Sequence, residues 1–462
     1  LINSKLTGIA MKKLMLIPLF ASGFFFSQQK DDSLAFAKIS SQILNHGEAY
    51  EELRDLTKNI GHRLSGSDAY EKATKWAVIQ LKNAGADKVW LQPVKVPVWK
   101  RGKESLYIKT GNGQWQSVNM LSLGNSEGTN GKDLIGDIIL VKTIEEFNAL
   151  PDNAVKGKIV FFNYPFRQDF IQTFEGYGDI GKYRSSTASM VAKKGGKAVM
   201  IRSLSSATDD APHTGAMRYD DGTEKIPAVA IGPKGAEQLD KLIQSQKVTA
   251  KLNSNCGMKG EIMSNSVIGE ITGKKDQKVI VVGGHLDSWD VGEGAQDDGA
   301  GIVQSIEVLR TFKKLGLNNN HTIRAVLFAN EENGNRGGET YAANLDPTRE
   351  PHLFAIESDA GGYSPRGFFL EMNAEQSSQI KSWKSLFLPY GVYNIVDSYS
   401  GTDIRPMKKH QVALAGLMPD SQRYFDLHHS ASDVFEAVNR RELLLGASAM
   451  TQLIYMIDKY WE

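Results

Sequence analysis

The sequence predicts an α/β fold: a mostly parallel central sheet flanked by helices and interrupted by a β-rich insert. Three observations carry that reading. Residues 279–282 form a continuous apolar run, as a strand buried on both faces does. From residue 256 to 462, strand-like and helical runs alternate, the pattern of βα units. From about residue 131 to 252 the texture changes to short β-rich runs, a stretch of ordinary domain size.

The elements are justified in chain order. Lys12 and Lys13 precede an apolar stretch at 14–26, broken by Pro18 and followed by Ser27 and polar residues. That is the pattern of a secretory signal, and its apolar part is too short to span a bilayer. Residues 1–10 read as lying upstream of a start at Met11. The expectation is an exported protein, periplasmic or secreted, with no membrane span in its mature form. Residues 33–59 read as helical through Leu34, Ile39, Ile43 and Leu44. A second helix starts at Asp68, with Asp68 and Glu71 as its capping pair. Its apolar face is Ala73, Trp76, Ala77 and Leu81, and Gly85 ends it. Pro93 and Pro97 mark an edge strand. Runs at 134–141, 158–163, 198–201 and 228–231 supply the insert's strands. Strands at 279–282, 323–329 and 353–356, a helix at 299–312 and a closing helix at 441–459 complete the chain. The expected division is a leader at 1–27, a main α/β domain in two parts at 28–130 and 256–462, and an insert at 131–255.

Composition removes other classes. With 41% hydrophobic residues the chain is too apolar for disorder. Its 54 basic and 53 acidic side chains nearly cancel, which gives no electrostatic reason to expect a nucleic-acid partner. The single cysteine, Cys256, cannot form an internal disulfide and reads as a buried thiol.

Each of the three C-terminal strands runs into side chains able to hold a metal: His285-Leu286-Asp287, Glu331-Glu332 and Glu357-Ser358-Asp359. In open α/β sheets, ligands bind beyond the carboxyl ends of the strands. Two loops add Asp297-Asp298, among Gly292, Gly294, Gly299 and Gly301, and His428-His429 after Tyr424-Phe425. Taken singly, each has a plainer explanation: a polar loop, a solvated acidic pair, a helix cap, a turn residue or surface histidines. In one order on successive strand ends, they favour a metal site. Two neighbouring divalent ions repel and need a bridging carboxylate. Imidazole and carboxylate are the zinc ligands where cysteine is absent. Adjacent glutamates at a strand end point different ways, so one can bind metal and the other accept a proton. Asp287 is placed to support His285 from behind.

These motifs resemble the co-catalytic two-zinc aminopeptidase and carboxypeptidase family, in its carboxypeptidase Q-like branch. The matching stretches are Gly284-His285-Leu286-Asp287-Ser288-Trp289-Asp290-Val291-Gly292, Gly294-Ala295-Gln296-Asp297-Asp298-Gly299, Glu331-Glu332, Glu357-Ser358-Asp359-Ala360-Gly361, Gly401-Thr402-Asp403-Ile404 and His428-His429-Ser430. Ile60-Gly61-His62-Arg63 resembles the family's N-terminal segment. Pro212-His213-Thr214-Gly215 and Lys225-Ile226-Pro227 resemble its inserted protease-associated domain. The resemblance implies two zinc ions per chain, bridged by Asp297. His285 and Asp359 then hold one ion, and Glu332 and His429 the other. It implies Glu331 as general base, with Asp287 in support, and His428 and Tyr424 at the substrate site. Of the two histidines His429 matches the family's ligand, because Asp433 comes after it at the family's spacing, although Val434 stands where the family often has Thr. The Asp297–Asp298 bond is often cis in the family. The implied reaction removes an N-terminal residue from a dipeptide or short peptide with a free N-terminus, in a homodimeric enzyme. Two alternatives share the fold: a single-zinc glutaminyl cyclase-like acyltransferase and a catalytically silent binding module. The retention of all five ligands and of Glu331 argues against both.

Overall fold

The computed structural model describes residues 18–461. Residues 1–17 of the expected leader lie outside the described residues, and the rest of it begins a helix, Pro18–His46. No described helix is long and apolar enough to cross a membrane. The helix expected over 33–59 is broken after His46 and resumes as Ala49–Asp55 with a π turn at Leu56–Ile60. The break falls where the Glu48 N–H turns to the buried carboxylate of Glu307, at 3.0 Å. The next helix, Asp68–Asn83, is capped one residue earlier than expected: Ser67 Oγ accepts from the N–H of Tyr70.

After β1 (Lys88–Lys100), the chain builds a separate sheet from β2 (Glu104–Thr110), β3 (Gln116–Val118), β4 (Met120–Ser122), β5 (Leu134–Val141), β6 (Ile159–Phe162), β7 (Ala198–Arg202), β8 (Ala228–Ile231) and β9 (Val248–Ser254). It then returns through β10 (Gly257–Ile271), β11 (Val279–His285), β12 (Thr322–Phe328), β13 (His352–Glu357), β14 (Pro365–Glu371), β15 (Asn394–Asp397) and β16 (Ala413–Pro419). The first sheet has the order β1-β10-β12-β11-β13-β16-β14-β15, and the second β3-β2-β9-β5-β6-β7-β8-β4. In the first, β12, β11, β13 and β16 are mutually parallel, and antiparallel pairings lie on either side. The proline-bearing strand is its edge. The second sheet begins at Glu104, so the expected boundary at residue 131 falls inside it. Its early strands are tied in by register: Leu106 and Ile108 of β2 lie opposite Leu252 and Ala250 of β9, and both pairs are buried.

Every residue of β11 and β12 is buried, the state a strand reaches when helices cover both faces. Helix Ala300–Leu315 lies under this sheet, with Ile302, Ile306 and Leu309 in the main core, and packs against Pro18–His46 and Arg440–Tyr460. Cys256 is buried and receives a hydrogen bond from Ser254 Oγ at 3.2 Å.

Gly301, in the first turn of helix Ala300–Leu315, lets that helix approach the end of β13. A Cβ there would collide with the carbonyl oxygen of Ser358 and crowd the Asp298 carboxylate. Gly301→Ala is expected to cost about 2 kcal/mol or more through overpacking. Urea unfolding checks this, with a lower midpoint and an unchanged slope as the predicted result.

Candidate metal centre

β11 lies between β12 and β13, all parallel, so their carboxyl ends share one rim. His285 closes β11 opposite Phe328, and Glu331-Glu332 come after β12 within a few residues. Gly283 pairs with Glu357, which brings Asp359 level with His285. Asp297 enters from the turn before helix Ala300–Leu315, and its peptide bond to Asp298 is cis.

The side chains form two groups that share Asp297. His285 Nε2 lies 3.2 Å from Asp297 Oδ1 and 3.3 Å from Asp359 Oδ1. His429 Nε2 lies 3.2 Å from Asp297 Oδ2 and 3.1 Å from Glu332 Oε2. All are buried except Asp359, which keeps some exposure. His428 Nε2 is slightly farther from Asp297 Oδ2, at 3.5 Å, and its ring stacks on His429 with centroids 3.5 Å apart. The sets Asp297, His428, His429 and His285, Asp297, Asp359 each bring ligand atoms close enough for one ion. Thus the structure brings His285, Asp297, Glu332, Asp359 and His429 together, and places His428 beside the second group. Tyr424 is buried with its ring 5.1 Å from that of His428.

The donor chemistry fits zinc. The Nδ1–H of His285 donates to the Asp287 carbonyl at 3.0 Å, which leaves the Nε2 lone pair facing the carboxylates. Asp297 Oδ2 is buried and accepts no hydrogen bond, although two imidazoles surround it. Ligands about 2.0–2.1 Å from a tetrahedral zinc sit about 3.3 Å apart, which is the spacing found here.

Electrostatics point the same way. Burial raises the Glu331 carboxyl to about 8; His285 opposes the rise, and Asp359, Asp297 and Asp287 add to it. Burial and the Asp297 charge push Glu332 well above the carboxylate range. At Asp297 burial acts upward, but the adjoining imidazoles of His285, His429 and His428 outweigh it and hold the group well below its usual value. So many carboxyl groups in one buried volume call for cations.

A frame of backbone hydrogen bonds holds the donors. Asp433 accepts from the N–H of Gln296 and Asp297, at 2.7 and 3.2 Å. Asp298 joins the N–H of His285 (3.1 Å) to that of Gly301 (2.9 Å). Asp287 lies behind the donors and accepts from the N–H of Glu331 at 3.1 Å. Glu332 Oε1 accepts from the N–H of Trp289.

Sequence reasoning did not assign three neighbours. Arg63, fully buried, donates to the carbonyls of Leu286, Glu293 and Gly294 at 2.6, 2.9 and 3.0 Å, bracing the loop after β11. Tyr177 and Arg184, on helix Thr173–Ser185, approach His428 and His429: the Tyr177 ring lies 5.1 Å from that of His428, and Arg184 Nη1 lies 3.4 Å from His429 Nδ1. Their seven-residue spacing puts them on one helix face, which was the available signal.

Residues 266–454 match the model of peptidase family M28. Human carboxypeptidase Q is 32% identical over 441 residues, covering 94% of this chain and 91% of that protein. Xenopus laevis carboxypeptidase Q is 32% identical over 448 residues, covering 94% and 92%. Among solved structures, a peptidase M28 precursor from Shewanella amazonensis SB2B superposes with a TM-score of 0.87 at 30% identity, covering 93% of this chain and 97% of that one. The zinc aminopeptidase from Bacillus subtilis shares the fold, with a TM-score of 0.63 at 20% identity and coverage of 90% and 96%.

Arg63→Met leaves three carbonyls without their charged donor. The expected loss is on the order of 3 kcal/mol or more, measured by denaturant unfolding of zinc-depleted protein so that the loop's bracing is read apart from metal binding.

Proposed function

The chain belongs to peptidase family M28 and is a zinc-dependent exopeptidase, and from that premise we propose that it removes the N-terminal residue of dipeptides or short peptides, using two zinc ions. The observation that carries this reading is the sharing of Asp297, one carboxylate oxygen facing His285 and the other His429. A single-zinc acyltransferase has no need of that second donor group. His285 and Asp359 would hold one ion, Glu332 and His429 the other, with Asp297 between them. When bound, the zinc supplies Lewis acidity, which acidifies the attacking water and polarises the scissile carbonyl.

The rest is the work of side chains. Glu331 stands after β12, directly before the ligand Glu332, and is partly accessible at the rim. Its backbone N–H is held by Asp287, but its carboxylate has no hydrogen-bond or ion-pair partner among the described residues. That carboxylate is free to take the proton of the attacking water and return it to the leaving amine. Asp287 fixes Glu331 from behind through the backbone. Tyr424 and His428 form a wall beside the site for the substrate side chain. The second sheet is assigned as a protease-associated insert, the leader to export, and the enzyme to a homodimer; the sequence resemblance supports these three assignments.

Glu331→Gln is expected to keep the zinc content of the wild type and to lose about 10²–10⁴-fold in kcat/KM on dipeptides. Metal analysis and steady-state kinetics check it together; near wild-type turnover would remove Glu331 from the base role. With wild-type protein, chelator-sensitive cleavage of free dipeptides is expected, with N-acetylated dipeptides left intact. Cleavage of the acetylated forms would indicate a carboxypeptidase.

A further inference from the structure

The Pro212-His213-Thr214-Gly215 motif has no part in the chemistry above, yet it meets the metal centre directly. His213 Nδ1–H donates to the carbonyl of His428 at 2.6 Å, and the N–H of Thr214 donates to the carbonyl of His429 at 2.9 Å. Both residues are buried. His213 is itself held from the second sheet: its N–H donates to Ser203 Oγ (2.9 Å), whose hydroxyl donates to the carbonyl of Ile231 at the end of β8 (2.8 Å). Three residues before His428, Ser205 Oγ bonds the Phe425 carbonyl at 2.9 Å. The chain around both histidines is therefore hydrogen-bonded at three carbonyls to the segment that joins β7 and β8 of the second sheet.

The need for this hold lies in the backbone. His429 has φ of +63°, in the left-handed region, uncommon for a residue with a side chain. Such conformations persist where surrounding contacts fix them on both sides. The carbonyls of His428 and His429 flank that φ angle, and each has a donor from the second sheet. Gly215 completes the arrangement. It has φ of +129°, and a Cβ there would stand 2.7 Å from His429 Nδ1 and against the Arg184 guanidinium. The imidazole of His429 therefore sits on bare backbone, with Nε2 turned to Asp297 and Glu332.

We propose that residues 213–215 are a positioning clamp, through which the second sheet holds His429 in its metal-binding conformation and completes the second zinc site. This rests on the two-zinc reading above. The clamp acts through His429 and touches no substrate. It makes metal loading at one site depend on the second sheet, while His285 and Asp359 stand wholly on the first.

The test is zinc binding by the full-length protein in chelator-buffered zinc, read as stoichiometry and affinity, beside dipeptide kcat/KM and circular dichroism. Wild type is expected to bind two ions; binding one or none would overturn the two-zinc reading itself. His213→Ala is expected to keep one site unchanged and to weaken the other by about 10–100-fold, the usual effect of losing a group that orients a ligand. His213→Asn, whose amide nitrogen takes the place of Nδ1, is expected to restore it. Gly215→Ala is expected to weaken the same single site, and it decides the matter if His213→Ala does not fold. Two sites of wild-type affinity in both His213→Ala and Gly215→Ala would overturn the clamp. So would equal weakening of both sites with loss of ellipticity in Gly215→Ala, since that is the mark of a structural role alone.

Discussion

Six carboxyl groups, Asp287, Asp297, Asp298, Glu331, Glu332 and Asp359, gather around three buried imidazoles, His285, His428 and His429, and holding them there shapes the rest of the molecule. Carboxylates brought out of water repel one another and lose hydration, so the protein must hold them against a large electrostatic cost. It does so with backbone N–H groups. Asp298 takes two, Asp433 takes two, and Asp287 and Glu332 take one each. Arg63, buried against the loop after β11, directs its nitrogens to carbonyls. The carboxylate oxygens of Asp297 and Glu332 that face His429, and those of Asp297 and Asp359 that face His285, take no backbone donor among the described residues, which leaves them to the metal in the proposed two-zinc reading.

The fold meets this repulsion in two ways. The parallel strands β12, β11 and β13 end together, so three chemical groups arrive at one rim with no loop longer than a few residues between strand and donor. The remaining donors come from farther away and need separate support. Asp297 is fixed by the carboxylate of Asp433, a short step beyond His429 in the chain, so the turn bearing one donor and the loop bearing another are tied together. The His428-His429 loop is fixed from the opposite side by the second sheet. A sheet inserted between β1 and β10 thus comes to adjoin the candidate metal centre, with Tyr177 and Arg184 also drawn to the histidines.

Much of this was legible in the sequence because the donors end apolar runs. Residues 279–282 predict a strand, and the residues after a buried parallel strand lie at a sheet's carboxyl edge, so His285, Glu331-Glu332 and Asp359 declared their place. The features that stayed hidden depend on distant partners. The pairing of Leu106 and Ile108 with β9 could not be read locally, so the second sheet was expected to start too late. The helix break after His46 is tied to Glu307, a carboxylate far along the chain. Arg63 reads as one more polar loop residue until the three carbonyls it braces fold around it. His428 and His429 are adjacent and chemically identical; the structure places both near Asp297, with His429 nearer and alone in meeting Glu332.

Anomalous difference density from zinc-loaded crystals, recorded at the zinc absorption edge, tests the shared-carboxylate centre most directly. Two peaks are expected, one enclosed by His285, Asp297 and Asp359, the other by Asp297, Glu332 and His429, about 3.5–4 Å apart. A single peak, or a second ion held by His428 with Glu332 standing off, would contradict the centre described here.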